Sequence, residues 1–249
     1  MLELAYRAPQ SDYADAIRDA RPSGFWRLGQ ISGTKATNLV DAERPGEYVG
    51  AVGHGVRGAI ASDLDAAIQL NDRGGGAILG KAHPGARASS IALWIRPDLG
   101  AISSARASAF RPPPDGLQAV LPWRVASEST GAHRWTMTFS VPNRLNVFYR
   151  STADDPPFRI SARLNTKRFS FIVLTLNGAH AELWVNGNRS SGPPAQTAGF
   201  PLRPASPLTI GGPYRAGVKP FVGTIDDISA FPRVLQEGEI RRLWQASGA

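Results

Sequence analysis

FSFIVLTLNGAHAELWVNG, residues 169–187, is the stretch whose reading decides the fold. Its first half is rich in aromatic and β-branched residues, which suit a pleated, half-buried surface. Asn177-Gly178 favours the left-handed backbone of a tight hairpin, and Asn186-Gly187 repeats the signal at the far end. Between the two turns, Leu183 and Val185 fall on one face of a strand and Glu182 and Trp184 on the other. The pattern predicts an antiparallel hairpin, and the chain on either side reads in the same way.

Upstream, residues 2–6 read as an edge strand. Residues 25–28, 47–52, 66–70 and 91–96 read as strands, the last stopped by Pro97. Residues 11–20 read as a short helix: Ser11 is its N-cap, Tyr13 and Ile17 share a face, and Pro22 lies just past its end. Downstream, residues 121–127, 134–140, 144–150 and 158–164 alternate like strands, and residues 208–212 and 222–231 close the set. Residues 236–246 form a terminal helix whose Ile240, Leu243 and Trp244 face the body. Three segments read as loops: 29–47, 99–117 and 190–207. The proline run that starts at Pro112 cannot sit inside a sheet, so 99–117 is an insertion loop. The expectation is a single domain over residues 1–249. Its fold class is all-β, a two-sheet antiparallel β-sandwich of jelly-roll type with short N- and C-terminal helices, in which Trp26, Trp94 and Trp184 are at least partly buried.

Composition fits this reading. With 249 residues, 42% of them hydrophobic, the chain can bury a full core, and its 26 glycines and 20 prolines suit many short strands joined by turns. The absence of cysteine excludes disulfides and thiolate chemistry, and the four histidines, His54, His83, His133 and His180, lack metal-ligand spacing. The net charge of +8 suits an acidic partner: nucleic acid, an anionic glycan or another protein. The arginines are scattered, however, whereas nucleic-acid binders concentrate charge on one face, so no nucleic-acid partner is expected. The N-terminus lacks the basic start and apolar core of a secretory signal. No apolar run approaches the ~20 residues of a membrane span.

Several motifs fail on context. Gly53-His54-Gly55-Val56-Arg57-Gly58 fits G-x-G-x-x-G, but residues 61–76 are too few and too soon broken by glycines to form a crossover helix. Residues 75–81, GGAILGK, resemble part of a phosphate loop. Ala82 stands where Ser or Thr should hold magnesium, and Pro84 and Gly85 block the required helix, so these glycines read as turn residues. Asn188-Arg189-Ser190 matches a glycosylation acceptor that has no consequence without export. No strand alternates two acids as a glycosidase site would. No nucleophile elbow is present, and no catalytic residue or cofactor is expected.

Several pieces in order resemble the laminin-G-like branch of the concanavalin A-like lectin/glucanase superfamily. They are Phe25-Trp26-Arg27-Leu28-Gly29 with Ser32-Gly33, Asp65-Ala66-Ala67-Ile68-Gln69-Leu70, the strand 91–97, LWVNG at 183–187, LTIGG at 208–212, and GTIDDISAFPRVL at 223–235. The resemblance implies a jelly roll and, in many members, calcium or glycans held by edge loops. Gln30 replaces the family acid after W-x-L, and residues 41–46 replace the usual D-x-S-G-N-G loop. Asp41, Glu43 and Asp226 are therefore the metal positions to test, with folding expected to be independent of calcium. The physical reading of Asp226-Asp227 is that one acid ties a loop or caps a turn. The YADAI helix just before W-R-L is similar to stand-alone chains in tailed-phage virions. That implies a non-enzymatic, lectin-like structural or adhesion module in the virion: a head decoration, fibre or tail protein, assembled in the host cytoplasm within an oligomeric assembly. Its partners would be other virion or cell-surface proteins and host glycans, met by the loop residues Arg106, Arg111 and Arg203. A bacterial carbohydrate-binding lectin and a degenerate glycan hydrolase are the alternatives.

Overall fold

The computed structural model describes residues 10–80, 88–101, 123–130, 133–140, 142–150, 158–177, 180–190, 195–196, 207–212 and 219–249. Helix α1 (Asp12–Asp19) precedes strands β1 (Gly24–Trp26), β2 (Lys35–Ala36), β3 (Gly46–Val49), β4 (Val52–Arg57), β5 (Ala66–Leu70), β6 (Gly76–Ile78) and β7 (Ala88–Pro97). Then come β8 (Trp123–Thr130), β9 (His133–Ser140), β10 (Arg144–Arg150), β11 (Phe158–Arg163), β12 (Ser170–Asn177), β13 (His180–Val185), β14 (Asn188–Arg189) and β15 (Ala195–Gln196). Strands β16 (Thr209–Gly211), β17 (Lys219–Pro220) and β18 (Gly223–Phe231) lead to the terminal helix α2 (Glu237–Ala246).

The strands form two sheets, a β-sandwich of jelly-roll type. One runs β14-β13-β12-β7-β18-β5-β4, with β1 also on β18 and β15 on β13. The other runs β11-β10-β9-β8-β16-β6-β3-β2, with β17 on β8. Among the described residues the pairings are antiparallel, as expected, apart from a two-residue parallel contact of β17 with β8.

The hairpin forms as read. Asn177 pairs with His180 across the first turn, whose Gly178 lies outside the described residues. Asn186 and Gly187 both take positive φ, 51° and 74°, as a two-residue turn twisted to match its strands requires. Leu183 packs in the core between the sheets, with Ile172, Leu174, Trp135, Met137 and Phe139. Trp184 faces the other way, into a second cluster formed by Phe171, Trp94, Tyr13, Ile17, Ile240 and Leu243 beneath the two helices. Strand β12 is thus apolar on both faces because both are covered. Ser11 caps α1, accepting from the Ala14 N–H at 3.2 Å. Trp26, Trp94 and Trp184 are all buried.

The structure changes several details, among them the strand β15 inside the expected loop 190–207. Residues 47–52 are the join of β3 and β4, and the polar segment 29–47 contains β2. The two-residue strand β17 had no sequence signal. Gly76 belongs to β6 and serves no turn: a Cβ there would overlap the Ile210 carbonyl oxygen and the Gly212 nitrogen, so glycine admits the neighbouring strand. Residues 2–6, and residues 102–117 of the insertion loop, lie outside the described residues.

Candidate functional site

Two regions gather polar side chains: a buried charge nest and an open groove. The nest begins at Asp226-Asp227. Ile225 of β18 points into the core and Asp226 away from it. Strict alternation would return Asp227 to the core, but β18 has one residue more than β7 between the pairs Asp226↔Trp94 and Ser229↔Ala92. Asp227 takes φ 43° at this bulge, and both acids reach the same nest. Arg27, next to the core residue Trp26, is wholly buried. Its Nε lies 2.8 Å from Asp227 Oδ1 and 2.9 Å from Asp65 Oδ2, and its Nη2 pairs with Asp63. Asp226 is held by the backbone: the N–H groups of Ala59 and Asp227 donate to it at 2.7 and 2.9 Å. It ties the loop before β5, as the physical reading of the sequence expected.

Three carboxylates therefore share one guanidinium, with Asp226 beside them on backbone N–H groups. Burial opposes the Arg27 charge, but Asp227 and its neighbours outweigh it and raise the Arg27 pKa. Burial, and then Asp227, pushes the Asp226 carboxyl well above the usual range. Burial pushes Asp227 up to about 7, against the pull of Arg27. An acid whose pKa is higher folded than unfolded stabilises the fold below its unfolded value, and that stability is lost as pH rises through the folded value. The urea midpoint should therefore fall between about pH 5 and about pH 8, and Asp227→Asn should flatten the profile. A wild-type midpoint that rises over that range would contradict this assignment.

The nest does not fit the calcium ion that the sequence resemblance implied. Among the described residues, one group of acids brings oxygens within 4.8 Å of one another: Asp65, Asp226 and Asp227. A calcium ion takes about six to eight oxygens. Here Arg27 already lies against Asp65 and Asp227, and backbone N–H groups hold Asp226. Of the three metal candidates, only Asp226 is in the nest. Asp41 and Glu43 lie in the loop between β2 and β3, with Asp41 paired to Arg44 at 3.2 Å and Glu43 exposed. Gln30 accepts from the Tyr48 hydroxyl at 2.5 Å. The cation of this nest is a side chain of the protein. Its one sequence signal was a charge, Arg27, between two core residues of an apolar strand.

The groove lies on the outer face of the β7-containing sheet. Ile68, Leu70, Ile95 and Ile225 point into the inter-sheet core, so Gln69, Arg96 and Thr224 point out. They are direct neighbours across β5, β18 and β7: Thr224 is the partner of both Gln69 and Arg96. Arg96 Nη2 donates to Thr224 Oγ1 at 3.2 Å, and Thr224 Oγ1 donates to Gln69 Oε1 at 2.9 Å. The guanidinium also lies over the Phe169 ring, 4.8 Å from its centroid. Asp98, Thr166 and Lys167 complete a cavity of about 340 Å³. Three strands distant in sequence build it, which is why the sequence did not reveal it. Arg106, Arg111 and Arg203, the expected contact residues, lie outside the described residues.

Residues 71–241 match the Concanavalin A-like lectin/glucanases superfamily. No curated protein sequence matches the chain. Among solved structures, domain 4 of AbnA, a GH43 extracellular arabinanase from Geobacillus stearothermophilus in complex with arabinotriose, is similar with a TM-score of 0.56. It is 13% identical, and the match covers 90% of this chain and 98% of that one. The receptor binding domain of botulinum neurotoxin mosaic serotype C/D gives 0.63 at 11% identity, covering 91% of this chain and 51% of that one. A mutant Trypanosoma rangeli sialidase displaying trans-sialidase activity gives 0.59 at 17% identity, covering 91% and 33%. The chain thus spans nearly all of the arabinanase domain, about half of the toxin domain and a third of the sialidase. At these identities the likeness shows the fold.

Proposed function

The chain belongs to the Concanavalin A-like lectin/glucanases superfamily, and from that premise we propose that it is a non-enzymatic carbohydrate-binding module whose contact site is the outer-face groove. The observation that carries this reading is the row Gln69–Thr224–Arg96. The buried Thr224 hydroxyl fixes the Gln69 amide and the Arg96 guanidinium side by side in a groove that Leu99 also lines, a mix of hydrogen-bonding groups and apolar surface that suits a sugar. Support by analogy comes from the arabinanase domain, which was solved with arabinotriose. The non-enzymatic part rests on the carboxylates. A glycosidase needs two on either side of the scissile bond. Among the described residues the groove has Asp98 alone, and the adjacent acids Asp226 and Asp227 are buried in the Arg27 nest. Residence in a virion, within an oligomeric assembly, is a proposal carried by the sequence resemblance of the opening segment.

Titration calorimetry against an oligosaccharide panel should give saturable binding. Gln69→Ala should weaken it about tenfold, a loss of about 1.4 kcal/mol, in protein that remains folded at the assay temperature. Release of reducing sugar by the wild type would replace this reading with the hydrolase one.

A further inference from the structure

Resting on the glycan reading of the groove, we infer that its preferred ligand carries an anionic substituent, a carboxylate or a sulfate, which Arg96 and Lys167 neutralise together. Among the described residues neither side chain has an ion-pair partner, although both line the same cavity. Arg96 is half-buried, its orientation set by Thr224 on one side and Phe169 on the other, and the single side-chain hydrogen bond it donates among these residues goes to Thr224. A guanidinium has five N–H donors in a planar fork, so most of this fork is left for a ligand. Such a fork fits a planar carboxylate through two parallel hydrogen bonds. Lys167 is exposed at the rim, where a mobile ammonium serves as a second point charge. The one acid of the lining, Asp98, is engaged locally: its Oδ1 accepts from the Ala101 N–H at 3.0 Å. The lining therefore has an excess of positive charge in a partly enclosed space, where fixed charges act more strongly than on an open surface. Gln69 and Thr166, which also line the cavity, supply neutral donors and acceptors for ring hydroxyls.

The test compares matched probes by calorimetry at low and moderate salt: an oligogalacturonate against its methyl ester, and a chondroitin sulfate hexasaccharide against its desulfated form. We expect at least one acidic member to bind tenfold or more tightly than its neutralised partner, and to weaken as salt rises. The carboxylate and sulfate arms identify which anion is read. Arg96→Gln should abolish the preference. Lys167→Glu, on an exposed side chain that folding does not need, should reverse or erase it with an unchanged melting temperature. Equal binding of charged and neutral members would overturn the inference and leave the carbohydrate-binding reading standing. No binding by either member of either pair, nor by any neutral oligosaccharide, would overturn both.

Discussion

Arg27→Ala should destabilise the protein by about 3–5 kcal/mol, the cost of removing one partner from a buried ion pair. The substitution leaves Asp63, Asp65 and Asp227 without the guanidinium that now pairs with them. A typical domain has only about 5–15 kcal/mol of stability in total, so the variant should melt many degrees lower or fail to accumulate folded. Arg27→Lys keeps the charge but loses the planar fork, and should fall between wild type and alanine. The loss has a pH signature. Without the guanidinium the carboxylates are harder to ionise, so the deficit of Arg27→Ala should shrink as pH falls and the nest becomes neutral. Urea denaturation of both variants at about pH 5 and about pH 8 measures this. A deficit equal at both values would show that Arg27 acts through packing alone.

Trp94→Ala should cost about 3–5 kcal/mol through the cavity it leaves. Trp94 is fully buried on the outer face of β7. Its ring centroid lies 6.0 Å from that of Tyr13, 5.1 Å from Phe171 and 5.5 Å from Trp244. It thus joins α1, the sheet and α2 in one cluster, and truncation should loosen both helices as well as lower the midpoint. Faster hydrogen exchange in α1 and α2 with little change in β9 and β10 would confirm that the outer cluster is the part affected. An unfolding midpoint unchanged by the substitution would sink the burial claim.

Local chemistry was legible in the chain. Residues 66–70 and 144–150 read as strands with the bounds that β5 and β10 have. The Ser11 cap and the Asn186-Gly187 turn were likewise readable, because side-chain period, caps and turn residues act over a few positions. What crosses the chain was not. Gly76 looked like a turn residue because its reason is the distant backbone of residues 210–212. Asp226 was singled out, but its companions were not: Asp41 and Glu43 looked equivalent in sequence, while Arg27, Asp63 and Asp65 are the residues around the β18 bulge. That bulge breaks the alternation on which sequence reading depends. The sequence alone determined a sandwich of short strands framed by two helices, since burial patterns are written residue by residue. Only the tertiary structure decided that Gln69, Arg96 and Thr224 line one groove, and that a buried arginine pairs with three carboxylates. Strand order and register place those groups side by side, and neither is encoded in the local pattern of any one strand.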